Sequence, residues 1–177
     1  MNLKISNGIY VWCQFDKSSV EAITCLQSQT NKILLGPKFD PHLTLTGPIP
    51  FKEELHINMF EELASDTQQF QIKLNGIGYK NEFFQSFFLN VLESKNLNFI
   101  RLSIEKIFGF ASKEYFPHVS LFYGNADLNL KENLAKKLFI PNEVLVNKIS
   151  LVKINQSIGG WNIYKTFKLK KNSLPSF

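Results

Sequence analysis

Residues 41–45 read Pro-His-Leu-Thr-Leu and residues 117–121 read Pro-His-Val-Ser-Leu, so one order of residue types occurs twice at an offset of 76 residues. In an extended strand successive side chains point to opposite faces. His42 and Thr44 therefore share one face, with Leu43 and Leu45 on the other; His118 and Ser120 repeat that parity against Val119 and Leu121. Each copy predicts a strand with an apolar face for a core and a His-x-hydroxyl face turned away from it. Helical patterns flank both copies. The repetition predicts two related halves, over residues 1–177, whose equivalent strands face one shared cleft.

Working outward, GIYVWCQF at 8–15 predicts a strand, and Asp16 offers an N-cap to a helix carrying Val20, Ile23, Leu26 and Ile33 or Leu34 and ending at Gly36-Pro37. HLTLTGPI at 42–49 predicts the next strand. Phe51, Leu55, Met59 and Leu63 then repeat as a helix face, with His56 off that stripe and toward solvent. FQIKLNGIGY (70–79) and FFQSFFLNVL (83–92) predict an antiparallel pair turning at Lys80 and Asn81. Ile100, Ile104 and Ile107 predict a helix over 98–108, YFPHVSLFYG a strand over 115–124, and Leu130, Leu134 and Leu138 a short helix. Two last strands fit 143–154 and 161–169, turning at Gly159-Gly160. Neither GxGxxG nor GxxxxGK occurs, which argues against a dinucleotide or nucleoside-triphosphate fold. The fold class is α+β, built on antiparallel sheet with helices packed outside.

Composition agrees with a globular chain: 44% of the 177 residues are apolar, 17 are Phe, and 20% are charged. The net charge of +5 rests on lysines, with Arg101 as the single guanidinium, which excludes reading of phosphate or guanine by several Arg forks. A mild positive field remains for small anions or RNA ends, with Lys38, Lys80 and Lys113 as candidates near a site rim. Cys13 and Cys25 have neither disulfide-framework nor zinc spacing and read as reduced core residues. The first residues lack a secretory h-region and no 18-residue apolar run occurs, so the expected location is cytoplasmic.

Two imidazoles that titrate near neutrality and two hydroxyls that can donate to phosphoryl oxygens suit hydrolysis of a strained phosphodiester. One imidazole deprotonates water while the other, as imidazolium, protonates the departing alkoxide. Thr44 and Ser120 hold the phosphoryl oxygens, where charge grows in the transition state. The same residues also admit two incidental strand histidines or a metal site. The metal reading is weaker because neither motif contains Asp, Glu or Cys, and Asp40 and Asp127 lack repeat partners. Trp12, Phe83, Phe84 and Tyr123 are either core rings or a stacking surface for a base. Regular parity from His118 points Tyr123 away from the site unless a bulge or strand end intervenes.

The HxT and HxS pair resembles the signature of the 2H phosphoesterase superfamily. IYVWCQF, GPKFDPHLTLTG, FFQSFFLNVL, YFPHVSLFYG and WNIYKTFKL together resemble the plant and yeast cyclic phosphodiesterases, in the same order along almost the whole chain. The resemblance implies a two-lobed α+β fold with antiparallel sheets around a central cleft, and hydrolysis without metal or other cofactor. The implied substrates are ADP-ribose 1'',2''-cyclic phosphate and nucleoside 2',3'-cyclic phosphates, opened to 2'-phosphates. It implies His118 as general base and His42 as general acid, Thr44 and Ser120 as their partners, and Trp12, Phe84 and Tyr123 as pocket residues. The expected partner is a small cyclic nucleotide, with a monomeric protein and no membrane. The plant relatives are expected to use further cysteines, which this chain lacks. The alternatives are a 2H enzyme of RNA ends or 2'-5' linkages, which needs a basic groove leading from the cleft, and a non-catalytic nucleotide or RNA module.

Overall fold

Among the described residues, three of the four helices begin where a side chain satisfies a free amide of the first turn. In the computed structural model, which describes residues 6–109, 115–155, 158 and 160–171, strand β1 (Gly8–Phe15) ends at Asp16. The Asp16 carboxylate accepts from the Ser19 amide at 3.1 Å and starts α1 (Lys17–Leu34). Strand β2 (Leu43–Ile49) follows, then α2 (Glu53–Asp66), β3 (Phe70–Tyr79) and β4 (Phe87–Val91). Ser94 caps α3 (Lys95–Phe108), so that helix starts three residues before the expected point. Strand β5 (His118–Phe122), α4 (Leu128–Ala135), β6 (Glu143–Ile154) and β7 (Asn162–Lys168) complete the described chain.

The strands form one seven-stranded antiparallel sheet in the order β1-β2-β5-β4-β3-β6-β7, rather than separate sheets. Twelve-residue β6 pairs with β1 as well as with β3 and β7, so six strands close into a hydrogen-bonded circuit. One sheet face carries Val11, Cys13, Leu43, Leu45, Val119 and Leu121, which join Ile23, Leu26, Ile100 and Ile104 of the helices in the main core. The opposite face carries a separate small cluster of Tyr10, Trp12, Val152 and Ile154, against which Trp161 packs.

Several expectations need correction. The face that α2 buries is His56, Phe60 and Ala64, while Leu55 and Met59 are exposed. His56 turns inward because its Nδ1 accepts the Lys52 amide at 2.9 Å, closing the helix start that Lys52 leaves uncapped, and its ring packs between Phe51 and Phe108. Strand β4 starts at Phe87 rather than 83. Phe83 and Phe84 belong to the loop before it, which is tied down by the Gly124 amide donating to the Phe83 carbonyl. Cys25 lies exposed on α1 and only Cys13 is a core residue. Of the expected turn at Gly159-Gly160, Gly159 lies outside the described residues, although β6 and β7 pair antiparallel as expected.

Candidate active site

The two repeated segments are not opposed across a gap. They are neighbouring strands, paired antiparallel with Leu43 opposite Val119. Continuing that register by one residue each way sets His42 opposite Ser120 and Thr44 opposite His118. Each histidine therefore lies across from the other segment's hydroxyl, and the two histidines are diagonal neighbours, with Cβ atoms about 7 Å apart. Pairing extends this face in both directions. Trp12 of β1 lies opposite Thr44 and Ser150 of β6 opposite Trp12, while Asn90 and Phe88 of β4 lie opposite His118 and Ser120.

Both rings are anchored the same way. His42 Nδ1 lies 2.7 Å from the Asp40 carbonyl oxygen, and His118 Nδ1 lies 2.9 Å from that of Phe116. A carbonyl only accepts, so in each neutral ring Nδ1 carries the proton and Nε2 is the basic nitrogen. Their surroundings differ. His42 is 4% exposed and stacks on Trp12 with ring centroids 3.6 Å apart and planes within 8°. Phe39 and Trp161 approach it edge-on, and the Tyr123 hydroxyl stands 3.5 Å from Nε2, long for a hydrogen bond. Burial drives the His42 pKa down to about 4, against the opposing pull of the Asp40 carbonyl and with the help of His118. His118 is half-buried between Phe88 and Phe116, and its pKa is also lowered, by burial first and then by Lys80. The Lys80 ammonium sits 4.5 Å from the Phe116 ring centroid.

Tyr123 reaches the site because β5 is bulged: Phe88 pairs with Ser120 but Phe87 with Phe122, so Leu121 and Phe122 both enter the core and the parity beyond them inverts. Burial pushes the Tyr123 hydroxyl up to about 12, which keeps it protonated as a donor. Trp12 is in contact with His42, as described, and its buried Nε1 has no hydrogen-bond partner. Phe84 lies one ring further out, meeting the edge of Tyr123 at 5.5 Å. Lys80 lies beside His118, Lys38 lies next to Phe39, and Lys113 falls outside the described residues. Among the described residues no three His, Cys, Asp or Glu side chains are grouped to hold a metal ion, and no helix is long and apolar enough to cross a membrane.

Sequence reading misses Phe88, Phe39, Phe116 and Trp161. A signal for two of them is present. Phe88 stands 76 residues after Trp12, and Phe116 stands 76 after Asp40, the offset that separates the histidines. The ring beside each histidine and the carbonyl that orients it are thus carried at equivalent positions.

Residues 15–157 match the model of the 2'-5' RNA ligase superfamily. The chain belongs to that family. It is an enzyme family of the 2H phosphoesterase superfamily, in its LigT-like branch; the match does not single out the plant and yeast cyclic phosphodiesterases. The superfamily's fold is also that of TT0787 of Thermus thermophilus, which is 19% identical, with 93% of this chain and 99% of that one covered at a TM-score of 0.63. E. coli LigT complexed with 3'-AMP is 14% identical, with 92% and 98% covered at a TM-score of 0.63. A structure described as a phosphoesterase is 14% identical, with 93% and 99% covered at 0.62. No curated protein matches the chain in sequence.

Proposed function

We propose that this member of the 2'-5' RNA ligase superfamily hydrolyses a phosphodiester at an RNA end, either a 2',3'-cyclic phosphate or a 2'-5' linkage, with His42, His118, Thr44 and Ser120 as its machinery. The observation that carries the reading is the pair of Nδ1–carbonyl anchors, which leaves both Nε2 atoms as the reactive nitrogens of one face. One Nε2 accepts a proton from water as its oxygen bonds to phosphorus. The other, as imidazolium, gives its proton to the ribose oxygen as the phosphorus–oxygen bond breaks, leaving a phosphomonoester and a hydroxyl. Thr44 and Ser120 donate to the non-bridging oxygens. A ribose hydroxyl in place of water runs the same steps toward a new linkage.

The direction of proton flow implied by resemblance, with His42 as acid, requires the bound phosphate's negative charge to raise His42 from its low free value. The free site favours His42 as acceptor and His118 as donor. A family matched as RNA ligases supports the RNA end, and LigT crystallised with 3'-AMP and with phosphate supports a phosphate-bearing nucleotide as ligand. Enclosure of His42 by Trp12, Trp161, Phe39 and Tyr123 supports a second reading: a nucleotide-sized substrate such as ADP-ribose 1'',2''-cyclic phosphate or a nucleoside 2',3'-cyclic phosphate opened to the 2'-phosphate. The repeated units β1-α1-β2 and β4-α3-β5, joined at β2 and β5, support two pseudo-symmetric halves.

A product assay with all three substrates tests the reading. His42→Ala and His118→Ala each lower turnover by about 10²-fold or more, the usual contribution of a positioned acid or base. Unchanged turnover in either variant refutes the mechanism.

A further inference from the structure

Behind Phe39, between α1 and residues 37–39, lies a cavity of about 430 Å³. We infer that it is a second nucleoside subsite, taking the base and ribose of the nucleotide next to the one whose phosphate lies between the histidines; the inference rests on the RNA-end reading above. Thr24, Gln27, Ser28 and Asn31 line it from α1. Their spacing of three, four and seven residues puts them on one helix face, along which Gln27 is buried, Asn31 half-buried and Thr24 and Ser28 exposed. Here those four positions are polar and uncharged, and Lys32 continues the face as its one cation.

Asn31 Oδ1 is covered and has no hydrogen-bond partner, so a ligand in the cavity meets it only when the Asn31 side chain turns toward the cavity. Gln27 is 7% exposed, and its Nε2 donates to the Ser120 carbonyl at 3.3 Å, so this wall is fixed to the strand that carries the site's hydroxyl. Phe39 forms the partition. It lines the cavity, and its ring lies 4.2 Å from the Tyr123 ring and 6.3 Å from that of His42.

These features choose among ligands. The stripe offers amide and hydroxyl donors and acceptors, as the edge of a nucleobase requires, and Phe39 offers a stacking face. An anion fits the interior poorly, since the stripe runs toward the negative C-terminal end of α1 and its one cation, Lys32, stands at the exposed end. Lys32 and Lys38 stand on the cavity's lining, where the linking phosphate of a two-nucleotide ligand meets water. The volume falls within the range of small-ligand sites.

The test compares a mononucleoside 2',3'-cyclic phosphate with a dinucleotide ending in the same group, on wild type, Asn31→Leu and Ser28→Phe, the last filling the cavity from an exposed helix position. Wild type favours the dinucleotide about tenfold in kcat/KM through a lower KM, the equivalent of one or two retained hydrogen bonds. Both variants bring that preference to about unity and keep mononucleotide turnover within about twofold of wild type. No preference in wild type, or equal loss on both substrates, overturns the subsite. If wild type turns over neither substrate, the cyclic-phosphate form of the RNA-end reading fails instead. The subsite is then decided by titration with an uncyclised dinucleoside monophosphate: weaker binding to Ser28→Phe than to wild type supports it, and equal binding overturns it.

Discussion

His42 ties the site's chemistry to the stability of the fold, and the size of that coupling follows from its burial. With a folded pKa of about 4 against an ordinary 6.5, the imidazole resists a proton in the folded chain that the unfolded chain accepts. Between those two values the unfolded state binds more protons, so stability falls as pH falls. The contribution is fully present above the ordinary value and is lost through this window, by about 3 kcal/mol in all. For a chain of this length that corresponds to about 6–12 °C in Tm. Tm is measured by circular dichroism from about pH 7 to about pH 4 for wild type and His42→Gln. Removing the titrating group flattens the curve by that amount, whatever the offset at neutral pH. The residual slope in the variant includes His118, whose lowered pKa acts with the same sign. Trp12→Ala opens the stacked face to water, and an NMR titration of the ring then shows His42 moving toward its ordinary value. Parallel Tm curves for wild type and His42→Gln, or an unmoved ring titration in Trp12→Ala, refute the burial argument.

Three further outcomes concern the rest of the site. Thr44→Val and Ser120→Ala each lower kcat on a cyclic phosphate by about 10²-fold with little change in KM, the mark of a donor used in the transition state, and steady-state kinetics read this directly. Lys80→Gln raises the His118 pKa, because Lys80 lowers it, and also raises KM for an anionic substrate; NMR titration and kinetics separate the two effects. Gly78→Val drives a Cβ into the Phe88 ring and against Asn90 Oδ1 of the neighbouring strand. Overpacking of this kind costs about 1–3 kcal/mol, and the displaced Phe88 loses its contact with His118, so activity falls further than thermal stability does.

Legibility in the sequence follows the strength of local signals. β1, β3 and β6 read to the residue because β-branched and aromatic runs there end at turns or caps, and Asp16 marks the start of α1. The four candidate reacting side chains are legible because their parity repeats. What fails depends on partners distant in sequence or on unusual capping. The inward face of α2 is misread by one position because His56 caps its own helix, which apolar periodicity does not encode. Phe83 and Phe84 look like strand because their type suits one, but the hydrogen bond that holds them in a loop comes from Gly124. Tyr123 finds its place only through the bulge at Leu121. The adjacency of β2 and β5 is a register fact with no local signature.

The offset of 76 residues also explains how two nearly identical histidine segments come to differ. Position for position the repeat supplies the same parts: an aromatic ring from the neighbouring strand, a carbonyl two residues back, a hydroxyl two residues on. Identical parts in identical surroundings would give two imidazoles of equal basicity, and an acid and a base need unequal ones. The inequality enters where the repeat breaks. Trp12 covers His42 in parallel contact at 3.6 Å, whereas its counterpart Phe88 meets His118 at 5.2 Å and a 63° angle, leaving that ring half-buried. Tyr123 and Trp161 close over the first histidine, while Lys80 lies over the ring beside the second. The backbone repeat thus sets both tautomers alike, and the aromatic substitutions set the proton affinities apart. Exchanging the two rings, as Trp12→Phe with Phe88→Trp, should narrow that separation and reduce the distance between the two limbs of the pH–rate profile; limbs that stay in place would assign the difference to Tyr123, Trp161 and Lys80 instead.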